Sequence, residues 1–484
     1  MGFVLVLLPV VAILCLKVQR LLSPPDELKH LPAISLWQCL ISLLRAEPYD
    51  VLFERIKRPV LERAGVARLW IQGKWGIVIS DAKDVKEVLL KSDMFLKRRE
   101  EDPNIKVMLL RRTLGFTNIA ISDGEDWRCH RRVASPAFKK ALSPLAFTDC
   151  TNKLVSLIKG SGGVPQDIHD LFRRLTLDIL GRGLFSYDFK AIEKGRNSQD
   201  MQLYNDVMEA VFDPFYLLFP RFEGLLPSRR ESFAKSSQFR ELLLGIIRKR
   251  KLELTTEHND LLSSIIRASL EEGTFSEDDV INDLGVFFVA GHDTTANTLT
   301  TTFFYLSKHQ DIQEKARDEA LQVLKGKHHS PTCDELKAMP YIDCIIKESM
   351  RIVATSFQLL RYSPNRQVLS SGVVIPKDTF ISLNTWMAHH DPDMFPEPYK
   401  FRPERFADPS GKQDSHWIPF GFGARMCIGK AFSLMEQRVV ISTLLRNFVL
   451  KPGPASQKQT FPKLNSSGLI HPVGADVIFV PITD

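Results

Sequence analysis

The chain has 484 residues, 44% of them hydrophobic and 25% charged, with 64 Lys and Arg against 57 Asp and Glu for a formal charge of +7. Its 28 prolines and 26 glycines are scattered, leaving no linker, repeat or low-complexity block, so one large catalytic unit is expected rather than several domains. Seven cysteines without a C-x-x-C pair argue against a disulfide framework and suit a reducing, cytosol-facing compartment, and no basic stretch alternates with aromatics as a nucleic-acid surface would.

Met1 to Leu16 is apolar apart from small residues and Pro9, and Lys17 and Arg20 follow at once. Residues 1–22 therefore read as a membrane signal-anchor. At about 1.5 Å per residue the run falls short of a hydrocarbon core of roughly 30 Å, unless Leu21 and Leu22 extend it while the basic side chains snorkel. A cleaved secretory peptide is the competing reading, disfavoured because the charges come after the apolar run and no A-x-A site follows. The same charge order puts the body of the protein on the cytosolic side. Pro24, Pro25 and Pro32 cannot continue a helix, so 23–32 is expected as a stiff bend, followed by a catalytic body over 33–484.

Within the body, Val66 to Ser80 alternates like a hairpin, with Gly73 and Gly76 flanking the turn. Helical spacing then dominates at Asp126 to Lys140, Leu171 to Leu184, Ser237 to Leu254, Asp278 to Ser307, Asp311 to Leu324, Tyr341 to Ile352 and Lys430 to Leu445. Short strand-like runs return at Gln367 to Leu383 and Ala475 to Pro481. The expected class is mainly α with small β-sheets.

Four groups of residues carry chemistry. Trp127 and Arg131 stand four apart on an early helix. Ala290, Gly291, His292, Asp293, Thr294 and Thr295 interrupt the apolar part of the longest helix, whose N-terminus has a capping box at Ser276 and Asp279. A mid-helix threonine can bond the carbonyl three or four residues back and loosen the turn. Glu348 and Arg351 pair at i,i+3, and Pro403, Glu404, Arg405 and Phe406 follow downstream. Last comes Phe420 to Gly429, F-G-F-G-A-R-M-C-I-G, which runs straight into a helix. Each has a plainer explanation alone: a partly buried tryptophan, satisfied hydroxyls in a buried helix, a surface ion pair worth about 0.2 to 0.5 kcal/mol, a structural cysteine. Together and in this order they do not.

The ten-residue loop, with Phe420, Gly423, Arg425, Cys427 and Gly429 at these spacings, resembles the haem-binding loop of the cytochrome P-450 superfamily, and the other groups stand in that family's order from about Leu31 onward. The resemblance implies a P-450 fold holding haem b, with Cys427 as the thiolate ligand of iron. Glycines at 421 and 423 would let the loop approach a flat porphyrin, and the helix that follows would favour negative charge on sulfur. Arg425, Trp127, Arg131 and Arg361 would contact the haem propionates, with His389 a weaker candidate for the same edge. Thr294 and Asp293 would orient and relay the protons that dioxygen activation consumes. Glu348, Arg351 and Arg405 would form a buried structural ion network. Phe287, Phe288, Ala290, Phe357, Leu359, Leu469 and Ile470 fall where the family's pocket loops should be, and their character suggests a lipophilic substrate such as a fatty acid, terpenoid, steroid or polyketide. Val353, Ala354, Thr355 and Ser356 stand where many members carry a proline turn, so the pocket shape departs from the usual pattern.

The implied activity is a monooxygenase of the endoplasmic reticulum membrane that draws electrons from NADPH through a separate NADPH-cytochrome P-450 reductase, with cytochrome b5 as a second donor. Arg128, Arg131, Arg132, Lys139, Lys140, Lys430 and Arg438 are candidates for the docking face. Two rivals stand beside it. A haem-thiolate isomerase or dehydratase needs no reductase and can dispense with the acid and threonine pair; a noncatalytic haem protein would turn over nothing.

Overall fold

The computed structural model describes residues 23–97, 108–253, 260–270, 275–325, 329–466 and 468–482. Helices of nine or more residues are α1 Leu36–Leu44, α2 Ala82–Leu90, α3 Gly124–Lys140, α4 Pro144–Gly160, α5 Ile168–Leu180, α6 Gln199–Val211, α7 Arg230–Glu253, α8 Leu261–Leu270, α9 Glu277–Lys308, α10 Gln310–Val323, α11 Pro340–Ile352 and α12 Lys430–Asn447. The strands are β1 Val66–Ile71, β2 Lys74–Ile79, β3 Gln166–Asp167, β4 Gln358–Ser363, β5 Gln367–Val368, β6 Val374–Ile375, β7 Thr379–Asn384, β8 Phe448–Pro452 and β9 Asp476–Pro481. They form sheets in the orders β1-β2-β7-β4, β3-β9-β8 and β5-β6. The anchor expected over 1–22 lies outside the described residues, among which no helix is long and apolar enough to cross a membrane. The proline segment ends in a short turn, Asp26–Leu28, whose Leu28 is buried against the body.

The hairpin pairs Val66 with Ile79 through Ile71 with Lys74. Its two turn residues, Gln72 and Gly73, both have positive φ, 46° and 81°, the geometry that matches the twist of tightly joined strands. Gly76 is not part of the turn. It lies in β2, where a Cβ would come 2.5 Å from the Phe380 carbonyl oxygen of β7, so its missing side chain is what lets the two strands meet. The run expected over 367–383 divides into β5, β6 and β7, and β4 precedes it unannounced because Leu359 and Leu360 are both apolar and break the alternation.

The longest helix, α9, begins at the expected capping box and is buried along most of its length. It packs against α5, where Gly291 is required: a Cβ there would lie 2.3 Å from Leu180 Cδ1.

Beneath this layer Glu348 binds Arg351 through two oxygens, at 2.7 and 2.8 Å, and accepts from Arg405 at 3.2 Å and from the Arg402 backbone N–H at 2.9 Å. Arg351 donates onward to the carbonyls of His389 and Pro398, both at 2.8 Å, and Arg405 to that of Glu397 at 2.8 Å. Every charge is buried and its donors are used, so α11 is tied to the long segment ahead of the cysteine loop. Replacing Glu348 by Gln strands two buried guanidinium groups and should lower unfolding stability by about 3 to 5 kcal/mol, read as a fall in the thermal midpoint of the purified protein.

Buried histidines add a pH dependence. Burial, reinforced by the Arg351 cation, brings His389 down to about 3, and burial with His471 and Arg173 does the same for His169. Their folded pKa values lie below the unfolded value near 6.5, so their stabilisation is complete above about pH 6.5 and is lost as pH falls toward 3. Each should remove about 1.4 kcal/mol per pH unit across that window, and His389→Gln should flatten the slope of stability between pH 6 and pH 4 by about that amount.

Candidate active site

The loop before α12 is held on itself and on its neighbours. The Cys427 N–H donates to the Phe420 carbonyl at 2.9 Å and the Met426 N–H to that of Gly423 at 3.1 Å. Gly421 and Gly423 both have φ of 72°. At 423 the requirement is also steric, but against the protein: a Cβ would stand 2.9 Å from the Leu89 carbonyl near the end of α2. Arg131 reaches across from α3 to donate to the Met426 carbonyl at 3.0 Å.

This geometry presents the Cys427 sulfur to a cavity of about 290 Å³. Among the described residues the other free cysteines are buried or half-buried, and Cys427 is exposed because it opens onto that cavity. Burial within the protein raises its thiol above the ordinary value, while hydrogen bonds from the Gly429 and Lys430 N–H groups and the Arg131 cation pull it back. The helix start therefore favours a thiolate as expected, but burial is the larger effect, and full ionisation needs a further positive charge at the sulfur.

The facing wall is α9, which contributes Phe287, Ala290, Gly291, Thr294 and Thr298. Thr294 Oγ1 donates to the Ala290 carbonyl at 2.9 Å, the back-bond expected for a mid-helix threonine, although the helix continues unbroken. Asp293 points elsewhere. It pairs with Arg173 at 2.8 Å, accepts from the Tyr204 hydroxyl at 2.5 Å, and faces a polar cavity of about 440 Å³ with His169, Asn297 and His471. Burial alone would raise its pKa, but His292, Arg173 and Tyr204 outweigh that and hold it well below the usual carboxylate range.

Cations crowd one rim of the Cys427 cavity. Burial and mutual repulsion bring Arg361 down to about 10, burial brings Arg425 down to about 10 against the pull of Asp123, and Lys97 falls well below the ordinary lysine value through burial, Arg361 and Arg425. Asp123 serves as the shared carboxylate, 2.7 Å from Arg425 and 3.0 Å from the Lys97 backbone N–H. Arg361 Nε and Arg425 Nη1 are buried without a hydrogen-bond partner among the described residues. Among the described residues three cations at this rim share the Asp123 carboxylate, with donors left over, and this calls for further anions. A thiol in one wall, apolar faces and an anion-seeking rim fit an iron porphyrin with two carboxylate arms.

The expected propionate contacts are thus divided. Arg425 and Arg361 line the cavity; Trp127 instead carries the Arg425 guanidinium on its ring at 4.0 Å, and Arg131 braces the cysteine loop. His389 is buried away from the rim, its ring accepting from the Ile418 N–H at 3.1 Å.

Of the expected pocket residues, Phe287, Ala290 and Leu359 line the cavity. Phe288 does not: it lies about 100° around α9 from Phe287 and packs on Tyr204 and Phe239, with ring centroids 5.2 and 5.5 Å away. Phe357 stacks on Tyr49 at 3.6 Å in a separate cavity, Leu469 lines the polar cavity beside Asp293, and Ile470 is buried with its N–H on the Thr355 carbonyl. The apolar space next to the Cys427 cavity measures about 310 Å³ and is lined by Leu110, Leu114, Ile121, Val286, Val289 and Leu360, sharing Lys97, Ala290 and Leu359 with it. Helical period from Ala290 marks Val286, at i−4, as its neighbour; nothing in the sequence marks Lys97, which stands ahead of Arg98 and Arg99 as one more basic residue.

Comparison with known proteins agrees with this geometry. Residues 32–479 match the family model described as Cytochrome P450. The chain is 30% identical over 424 residues to cytochrome P450 3A9 of Rattus norvegicus, covering 82% of this chain and 80% of that protein. It is 30% identical over 383 residues to cyclooctat-9-en-7-ol 5-monooxygenase of Streptomyces melanosporofaciens, covering 77% and 79%, and 28% identical over 431 residues to human cytochrome P450 3A5, covering 84% and 83%. A sulfur held to one cavity opposite a helical threonine, on a chain that matches the family over nearly its full length, makes this protein a member of the cytochrome P450 family of haem-thiolate monooxygenases.

Proposed function

We propose that this monooxygenase acts on a lipophilic organic substrate at the cytosolic face of the endoplasmic reticulum, tethered by residues 1–22 and supplied with NADPH electrons by a separate flavoprotein reductase, with cytochrome b5 as a second donor. The observation that carries the reading is the cavity lined by both Cys427 and Thr294, bordered by apolar space beside α9. The name of the Streptomyces relative, a monooxygenase, points the same way.

Haem b, when bound, supplies activation of dioxygen and delivery of one oxygen atom to the substrate, the other leaving as water. Cys427 would hold its iron, and Arg361, Arg425 and Lys97 its propionates. The residues of the chain then divide the remaining tasks. Phe287, Val286, Val289 and Leu359 exclude water and hold the hydrocarbon. The Thr294 hydroxyl, bonded to Ala290, holds a proton at its oxygen beside the reacting space. Asp293 takes protons from the polar cavity of His169 and His471 and, by leaving Arg173 and Tyr204, passes them toward Thr294. The presence of an acid next to the threonine favours oxygen activation over peroxide rearrangement.

Two measurements test this. Reduced under carbon monoxide, the purified protein should give the absorption of a thiolate-ligated haem, and Cys427→Ala should lose it while keeping its helical content; a globin-type band from the parent protein would overturn the assignment. Thr294→Ala should retain the haem spectrum but lower product formed per NADPH by about tenfold or more, with hydrogen peroxide rising to balance the electrons.

A further inference from the structure

A cavity of about 240 Å³ lies between α1, the β1–β2 hairpin, the turn at Pro214–Leu218 and the outer side of β4. Its walls are apolar, among them Leu36, Leu52, Leu69, Trp70, Leu217 and Leu360. Cys39, Gln72, Gln358 and Ser466 interrupt them, and so do three buried donors, Lys57, Tyr49 and Ser382. Lys57, only 8% exposed, carries its ammonium 5.2 Å from the ring centroid of Tyr49 and 5.8 Å from that of Phe357, and among the described residues no carboxylate pairs with it. The buried Tyr49 hydroxyl has the Asn384 amide near it but, among the described residues, no partner in bonding geometry. The Ser382 hydroxyl is likewise buried and without a partner among the described residues.

Burying an ammonium without a counter-ion is expensive, and ring faces offset only part of that cost. Lys57 closes a π turn, Phe53–Lys57, set within the helical segment that runs from Tyr49 to Ala64. Such turns shift side chains off α-helical spacing and recur at functional sites. One monovalent cation with two neutral hydroxyl donors in apolar walls suits a ligand with a single negative charge and a hydrocarbon body. The cavity also borders the apolar space that a passage to Cys427 would use. Gln72, Gln358 and Leu360 line both it and the space beside α9, and that space shares Lys97, Ala290 and Leu359 with the Cys427 cavity.

We propose that Lys57, Tyr49 and Ser382 form a head-group site for a lipophilic carboxylate whose hydrocarbon body runs along this passage toward Cys427. The assignment deepens, and rests on, the reading of the chain as a monooxygenase of lipophilic substrates. The cation–π contacts keep the ammonium in place before the ligand arrives, and the two hydroxyls donate to the carboxylate oxygens that the lysine leaves free.

The test is calorimetric titration of the haem-loaded full chain with dodecanoic acid and with methyl dodecanoate. The acid should bind about tenfold tighter than the ester, about 1.4 kcal/mol, in the parent protein. Lys57→Met should abolish that preference, Lys57→Arg should keep it, and Tyr49→Phe, which cannot disturb packing greatly, should reduce it about threefold, about 0.65 kcal/mol. Equal binding of acid and ester, binding of neither, or a preference that survives Lys57→Met and Tyr49→Phe would overturn the head-group site. The acid–ester preference is read without reference to the axial ligand of iron, so a missing thiolate absorption band would sink the monooxygenase reading separately.

Discussion

Every functional feature of this molecule depends on keeping one sulfur atom inside the protein yet uncovered. Interiors close around their side chains, and a cysteine left to packing alone would be sealed like Cys150. Cys427 escapes because its loop is fixed from behind: its own N–H is spent on Phe420, the neighbouring carbonyl on Arg131, and Gly423 lets the whole turn lie on α2. The walls that face the sulfur belong to other elements, which are braced independently. α9 is set by its contact with α5 at Gly291, and α11 by the Glu348 network.

The protein treats buried charge in two opposite ways. Around Glu348 every guanidinium finds a carboxylate or a carbonyl, and such a network locks one arrangement of the chain. At Lys97, Arg361 and Arg425 the charges repel one another and donors stay idle, which is tolerable only where an anionic partner completes the set. Lys57 belongs with the second group, although it lies outside the haem cavity. The contrast separates residues that build the fold from residues that wait for a ligand, a distinction invisible in their identities.

The sequence made the cysteine loop and the helix class plain, because a loop motif and helical period are local properties. Gly-rich spacing around Cys427, the capping box at Ser276 and the Glu348–Arg351 pair all appear as read. Tertiary choices were less legible. Both Phe287 and Phe288 are apolar, and helical period alone could have told which faces the cavity; Lys97 and Lys57 look like surface lysines until the fold turns them inward. β4 escaped notice because both its faces line cavities, Leu359 that of Cys427 and Leu360 that of Lys57, so both carry leucine.

One neighbouring pair on α9 has a wider meaning. Thr294 and Asp293 are joined by a single peptide bond, yet their side chains open onto different spaces, one shared with the sulfur and lined by hydrocarbon, the other polar and lined by histidine. The helix thus serves as a septum between the compartment of the sulfur and a more polar one. Because each residue turns the direction by about 100°, chemistry can cross from one side to the other in the space of one amide, without any pore through the wall.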